Sequence, residues 1–223
     1  MLAYLSQDAD KRIFEALASE GIQVHPLAPF GALAHPTHTH ADMLLLSVGS
    51  IIFKHADYFC AGESFLNVGE YIGEKYPEDV LLNIAVVGTH VFCNTKYASR
   101  TILEYIDANG FEAHHVAQGY AHCSTCIVSE NAIITADEGI AQTAISVGID
   151  VLRIEEGHIS LPPYGYGFIG GASGTCGESV YFCGSLKYHP DGDRIRQFIE
   201  KNGKRTVELL DAPLCDVGGI LFV

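Results

Sequence analysis

The segments 91-VFCNTKYASRTILEYIDANGFEAHHV-116 and 181-YFCGSLKYHPDGDRIRQFIEKNGKRTVEL-209 are two copies of one pattern. Each opens on an apolar strand that ends in Cys, with Lys-Tyr shortly after. Apolar residues at helical spacing follow: Ile102, Leu103 and Ile106 in the first copy, Ile195, Phe198 and Ile199 in the second. Both helices run into Asn-Gly, a helix stop, since glycine takes the left-handed backbone there without strain. The chain then returns as a strand. Repetition on this scale means a fold built from equivalent units.

The pattern extends outward from these two copies. It recurs at 132-AIITADEGIAQTAISVGIDVLRI-154, with Gly148 as the stop. It recurs at 2-LAYLSQDADKRIFEALASEGIQVHPL-27, with Gly21 as the stop and Asp8 or Asp10 as the N-cap. A fifth copy starts at 51-IIFKHADYF-59; Gly62 and Gly69 degrade its helix, and its strand is expected to return near Tyr71. Four copies follow another apolar stretch and a tight turn: 41-ADMLLLSVGS-50, 79-DVLLNIAVVGT-89, 123-CSTCIVSEN-131 and 170-GGASGTCGES-179. Each unit therefore reads as β-hairpin, helix, strand. The first copy lacks its leading strand, and 216-DVGGILFV-223 supplies one. Pairing of 219–223 beside 2–6 would close a ring and remove its exposed sheet edges. The expected fold is α/β, a five-bladed pseudo-symmetric ββαβ propeller closed by its N- and C-terminal strands. It forms one domain, with units at 216–223 plus 1–27, 40–78, 79–117, 123–155 and 170–210.

Five such units resemble the pentein, or guanidino-modifying-enzyme, superfamily over essentially the whole chain. HADM at 40–43, KYPEDVLLN at 75–83, QGYAHCS at 118–124, GFIGGASG at 167–174 and DVGGI at 216–220 resemble an uncharacterised bacterial family with that fold. The superfamily resemblance implies a His and acidic residues around a guanidinium carbon, and a Cys that attacks it. In the catalytic members that Cys lies on the last strand, two residues past a Gly-Gly-Ile run. Here Gly218-Gly219-Ile220 is followed by Leu221 and Phe222, with no Cys at that place, and Cys215 precedes the run by three residues. The ribosome anti-association factor shares the architecture and lacks catalysis, so a non-catalytic role is also open.

The chain has 223 residues, 48% hydrophobic and 18% charged, enough to bury a sizeable core. A net charge of -14 argues against binding nucleic acid or anionic membranes. No apolar run approaches the roughly 18 residues of a membrane span. The N-terminus, MLAYLSQDADKR, lacks the basic and apolar regions of a signal peptide. Seven Cys, an odd number without a dense framework, fit free thiols in a reducing, cytoplasmic compartment. The expected partner is a small-molecule ligand, the expected state a monomer or homodimer, and no cofactor is expected.

In a ring of five units the first strands line a central channel, and their N-terminal ends meet at one mouth. The sequence places His38, His40 and Asp42, Asp79 and Asn83, and Tyr120, His122, Cys123 and Ser124 there, together with Gly170, Gly171 and Ser173, and Cys215 and Asp216. A core would not tolerate such groups unpaired. As i and i+2 on a strand, His40 and Asp42 share a side, and the carboxylate would fix the imidazole tautomer; alternatively His40 caps backbone. Cys123 follows Gly-Tyr-Ala-His in an open loop, where His122 or His40 would lower its pKa from about 8.5 and make it a nucleophile; alternatively it is a small buried residue. Cys215 is the second candidate nucleophile, with Asp42 and Asp216 holding a cation. Asn83, Tyr120, Ser124, Gly170, Gly171 and Ser173 are the expected substrate contacts, with the backbone amides of Gly170, Gly171 and Ala172 placed to hold a carboxylate. Cys93 and Cys183, at one repeat position, read as packing. The stretch 165-GYGFIGGASG-174 fits the dinucleotide glycine spacing only formally, because a hairpin follows it and not a helix.

Three functions are compatible with this set. The first is a Cys/His-dependent hydrolase or deiminase-type enzyme on an amidino, guanidino or amino-acid-like compound. The second is a non-catalytic ligand-binding or interaction protein. The third is a metal-dependent hydrolase using His35, His38, His40 and the Cys123-x-x-Cys126 thiols, although a single such Cys pair is a weak signal.

Overall fold

The computed structural model describes every residue except 62 and 63, so the expectation placed on Gly62 lies outside the described residues. Five three-stranded sheets make up the fold. The first holds β1 (Leu2–Ser6) between β2 (Gln23–Leu27) and a strand from the far end of the chain, with α1 (Lys11–Ser19) linking β1 to β2. The second follows a short helix, α2 (Ala41–Leu44), and contains β3 (Leu45–Val48), β4 (Ile51–His55) and β5 (Phe65–Val68). The third contains β6 (Ala85–Val87), β7 (His90–Cys93), α3 (Arg100–Ala108) and β8 (Glu112–His115). The fourth contains β9 (Thr125–Ser129), β10 (Ala132–Thr135), α4 (Glu138–Ser146) and β11 (Asp150–Arg153). The fifth contains β12 (Ser173–Cys176), β13 (Ser179–Phe182), α5 (Gly192–Lys201) and β14 (Arg205–Glu208), and β15 (Leu221–Phe222) completes the first sheet.

Every sheet has the same connectivity, an antiparallel pair followed by a parallel one. Two-residue hairpins serve the antiparallel pairs of the last four sheets, the pair in the first sheet joins segments far apart in sequence, and crossovers serve the parallel pairs. Where the crossover is helical its ends are specified locally. Asp10, Ser99 and Asp137 each accept a backbone N–H at the first turn, at 2.9, 3.3 and 2.8 Å; such a cap contributes about 1 kcal/mol. The Asn-Gly stops hold, with Asn109 and Asn202 as C-caps and Gly110 and Gly203 at φ +77 and +73. The helices bury the apolar stripe expected of them, including Ile102, Ile106, Ile195, Phe198 and Ile199.

The second unit departs from the expectation. No helix joins β4 to β5 among the described residues, and the strand returns at Phe65–Val68; Tyr71 is exposed. The leading strands also begin later than their apolar runs suggest. Residues 41–44 form the turn of α2 and residues 79–84 form turns before β6, so the polar groups sit on loops ahead of the strands.

The chain ends pair as expected, over a shorter stretch. β15 lies antiparallel to β1 with Ala3 opposite Phe222 and Tyr4 opposite Leu221, and Leu2 and Val223 exchange backbone hydrogen bonds at 3.2 and 2.9 Å. The apolar core is divided into clusters that each span neighbouring units. Tyr4, Phe53 and Ile102 share one; Phe92 and Ile133, Val128 and Phe182, and Leu5 and Tyr181 belong to three others. The first strands of all five sheets contribute to the wall of one cavity of 270 Å³. No helix among the described residues is long and apolar enough to cross a membrane.

Candidate functional site

Asn83 is a buried hub behind two residues of the cavity wall, Asp42 and His122. Its side-chain oxygen accepts the backbone N–H of His122 at 2.8 Å and of Cys123 at 3.2 Å. Its amide nitrogen donates to the Asp42 carbonyl at 3.1 Å and to Cys123 Sγ at 2.9 Å. One buried side chain thus ties the loop before β3 to the loop before β9. The Gly-rich loop before β12 joins them, because Gly171 N–H donates to the Cys123 carbonyl at 3.1 Å. The loop before β15 closes the set, with Asp42 N–H donating to the Gly218 carbonyl at 2.9 Å. Five segments distant in sequence, including the one before β6 that carries Asn83, therefore converge, and Asp42, Cys123 and Asp216 meet, all nearly inaccessible to solvent.

The charges follow from burial. Asp216 accepts the backbone N–H of Phe168 at 2.9 Å and of Gly218 at 3.0 Å, yet burial outweighs these donors and raises its pKa. Asp42 is pushed up further, first by burial and then by the charge of Asp216. Neither of its oxygens has a well-aligned hydrogen-bond donor, and its interactions with the Cys123 thiol and its own backbone are outweighed. Like charges this close cannot both ionise freely, so the pair keeps a proton near neutral pH. His40 Nδ1 lies 3.7 Å from Asp216 Oδ1, too far for a hydrogen bond. Burial, then the neighbouring His38, lowers His40 to about 4, so it is a neutral imidazole. His122 is likewise lowered to about 4 by burial, and its Nδ1 has no partner. Asp42 and His122 face the cavity directly, and no Lys or Arg lines it among the described residues.

Several expectations need correction. His40 and Asp42 do not share a strand face: His40 is the N-cap residue of α2 and Asp42 lies in its first turn. The carboxylate beside His40 is Asp216, brought there because Gly218, at φ +79, leaves no Cβ; a Cβ would lie 2.2 Å from His40 Cβ. Cys123 is not activated by imidazole. Burial, then Asp42 and Asp216, raise its thiol well above its ordinary value. The amides of Gly171 and Ala172 are not free to hold a carboxylate, since they donate to the Cys123 and Phe168 carbonyls at 3.1 Å each. The glycines instead make room: a Cβ on Gly171 would lie 2.1 Å from Asp216 Oδ1, and one on Gly170 would lie 2.2 Å from the His122 carbonyl.

Cys215 is half-buried among apolar side chains of the cluster around Leu209 and Val217, with its pKa raised by burial, and neither it nor Cys123 lies on the cavity wall. Ser173 lines the cavity, donating to the Gly170 carbonyl at 3.3 Å. Ser124 faces a separate cavity of 150 Å³ with Asp137, Glu155 and Glu156. Tyr120 donates to Asp79 Oδ2 at 2.7 Å and stacks on Phe168, whose backbone holds Asp216. The His35 and His38 rings lie 5.2 Å apart while His40 turns to Asp216, and Cys126 packs with Val128 and Phe182, so the proposed His-Cys metal set is not assembled. Sequence reading missed Asp8, which accepts from Thr39 at 3.1 Å beside His40, and Phe168, whose N–H fixes Asp216. The aspartate pair at 8 and 10 was a visible signal, but only as a capping choice.

Residues 4–221 match a family described as "Family of unknown function (DUF6873)". The chain belongs to that DUF6873 family. A search of curated proteins found no match. Among solved structures, this DUF6873 member resembles DDAH from Pseudomonas aeruginosa, a cysteine-to-serine variant complexed with citrulline: TM-score 0.56, 12% identity, 93% of this chain and 91% of that one. It resembles an agmatine deiminase from C. jejuni with TM-score 0.53, 9% identity, and 96% and 90% of the two chains. It also resembles an amidinotransferase of the saxitoxin pathway from Microseira wollei, with TM-score 0.52, 9% identity, and 91% and 73%. These neighbours are pentein-fold proteins, so the expected superfamily resemblance holds for the fold.

Proposed function

We propose that this protein is a single-domain closed ring of five units that binds a small cationic amidino or guanidino compound in its central cavity. Closure is supported by the β1–β15 pairing and by apolar clusters that link the fifth unit to the first. The observation that carries the ligand class is the Asp42–Asp216 pair: two buried carboxylates beside a cavity whose wall, among the described residues, holds no Lys or Arg. A guanidinium between them replaces the proton they otherwise retain and offers charge-assisted hydrogen bonds to both.

The same cation decides the fate of Cys123. Two of the causes that raise its thiol are the charges of Asp42 and Asp216, and a bound cation cancels both. Cys123 then passes its proton to ionised Asp42, and its sulfur bonds to the amidine carbon. Ammonia leaves carrying a proton from the acid, and water displaces sulfur to give the urea and regenerate the thiol. The net reaction is guanidinium plus water giving a urea plus ammonium.

A second reading is binding without turnover, favoured by the protonated thiol of the free protein and by Phe222 at the place of the superfamily's nucleophile. The experiment is calorimetry with L-arginine, agmatine and other guanidino compounds, paired with ammonia release. Binding lost in Asp42→Asn supports the ligand class, and ammonia release lost in Cys123→Ser supports turnover. Binding unaffected by Asp42→Asn and by Asp216→Asn would overturn both readings. The seven free cysteines suit a reducing compartment, and we place the protein in the cytoplasm as a monomer or homodimer.

A further inference from the structure

We propose that His90, Glu112 and His114 form a binding site for a late first-row divalent cation, zinc in the first place. The site belongs to the outer part of the third sheet and does not depend on the central cavity. β8 is the edge strand of that sheet and runs parallel to β7, with His90 directly opposite Glu112 and Phe92 opposite His114. Residues two apart on a strand share a face. The register therefore puts all three side chains on one face, fixed by backbone pairing and not by a loop.

The spacing of the candidate ligand atoms is that of a metal site. His90 Nδ1 lies 2.9 Å from His114 Nε2 and 3.7 Å from Glu112 Oε2, and His114 Nε2 lies 4.0 Å from Glu112 Oε2. Bonds of about 2.0–2.2 Å in a tetrahedron separate ligand atoms by about 3.4 Å. The three edges bracket that value, so a side-chain shift of about half an ångström at each edge completes the set. The ring faces are already held: the His90 and His114 centroids lie 5.1 Å apart, and His114 packs on Phe92 at 5.3 Å.

The protonation state also fits. Two imidazole nitrogens at 2.9 Å share one hydrogen bond, so one ring nitrogen donates and the other accepts. Metal entry requires only that the donating ring move its proton to its other nitrogen. Two imidazoles and one carboxylate select zinc, cobalt, nickel or copper over magnesium or calcium. Three protein ligands leave a fourth position for water, and His90 opens onto a shallow cleft shared with Phe111, Glu130 and Lys204.

The test uses the full chain stripped with chelator and titrated with zinc alone, read by calorimetry and by metal content after gel filtration. One zinc per chain is expected, with affinity falling at least tenfold in His114→Ala and in His90→Ala, and by less in the exposed Glu112→Gln. Cobalt supplies an independent readout, since its visible absorption reports four-coordinate geometry and should disappear in the same variants. Should His114→Ala fail to fold, the Glu112→Gln and His90→Ala variants carry the test. Zinc binding of unchanged stoichiometry and affinity in both His90→Ala and Glu112→Gln, or an octahedral cobalt spectrum in the parent protein, overturns the proposal. Asp42→Asn should leave zinc binding unchanged, so this result is independent of the guanidino reading.

Discussion

Replacing Asp42 by Asn tests the protonation state of the buried carboxylate pair without emptying its space. Asp42 has a pKa raised above its unfolded value of 3.8 by burial and by Asp216. Above that unfolded value the unfolded chain has released a proton that the folded chain keeps. The contribution to stability is therefore full below pH 3.8 and declines as pH rises toward the folded pKa, at about 1.4 kcal/mol per pH unit. The amide in the variant has no proton to keep and escapes this loss. His40 and His122 act in the opposite sense, because both are lowered from 6.5 to about 4. Their stabilisation is full above 6.5 and is lost as pH falls toward 4, so the parent protein's own profile mixes opposing contributions. The difference between variant and parent removes the histidines. From pH 4.5 to 6.5 that difference should grow in favour of Asp42→Asn by about 2.7 kcal/mol, two pH units at the slope above. Urea unfolding at five pH values in that window measures it. A difference that stays constant across the window means that Asp42 is ionised in the folded protein, and the shared proton, with the ligand argument built on it, fails.

Gly171→Ala should cost about 3 kcal/mol, because its Cβ would lie 2.1 Å from Asp216 Oδ1 with backbone on either side fixed; thermal unfolding gives the answer, and a variant within 1 °C of the parent contradicts the packing. Asn83→Ala should cost roughly 2–4 kcal/mol by chemical denaturation, since it strands the N–H groups of His122 and Cys123 in a buried site. In the free protein at pH 8, iodoacetamide should label half-buried Cys215 before Cys123; saturating agmatine should accelerate Cys123 alone, as mapped by mass spectrometry, and faster labelling of Cys123 without ligand would refute its raised pKa.

The repeat made most of the fold legible. Helix stops such as Asn109-Gly110 and Asn202-Gly203 are written in two residues, and the apolar stripes of α3 and α5 need no tertiary context. The second unit was less legible, because its crossover from β4 to β5 carries no such periodicity. The convergence of Asp42, Cys123 and Asp216 could be read from their equivalent positions ahead of three leading strands. Their charges could not. A sequence shows that Cys123 follows His122, but the imidazole is neutral and the thiol is raised by carboxylates that lie 81 and 93 positions away (Asp42 and Asp216). The helical turn at 41–44 was hidden for a similar reason: MLLL reads as strand until the Gly218 carbonyl takes the Asp42 N–H.

The pairing of β1 with β15 bears on how the protein is made. Translation delivers Leu2–Ser6 well before its antiparallel neighbour Leu221–Phe222, with most of the fold made in between. At roughly 5–20 residues per second, the wait between them is on the order of 10–40 s. Throughout that interval Ala3, Tyr4 and Leu5, all fully buried in the finished protein, offer one bare strand edge to whatever is nearby. Until then that edge is a template on which any extended segment, including the same strand of a second nascent chain, can pair.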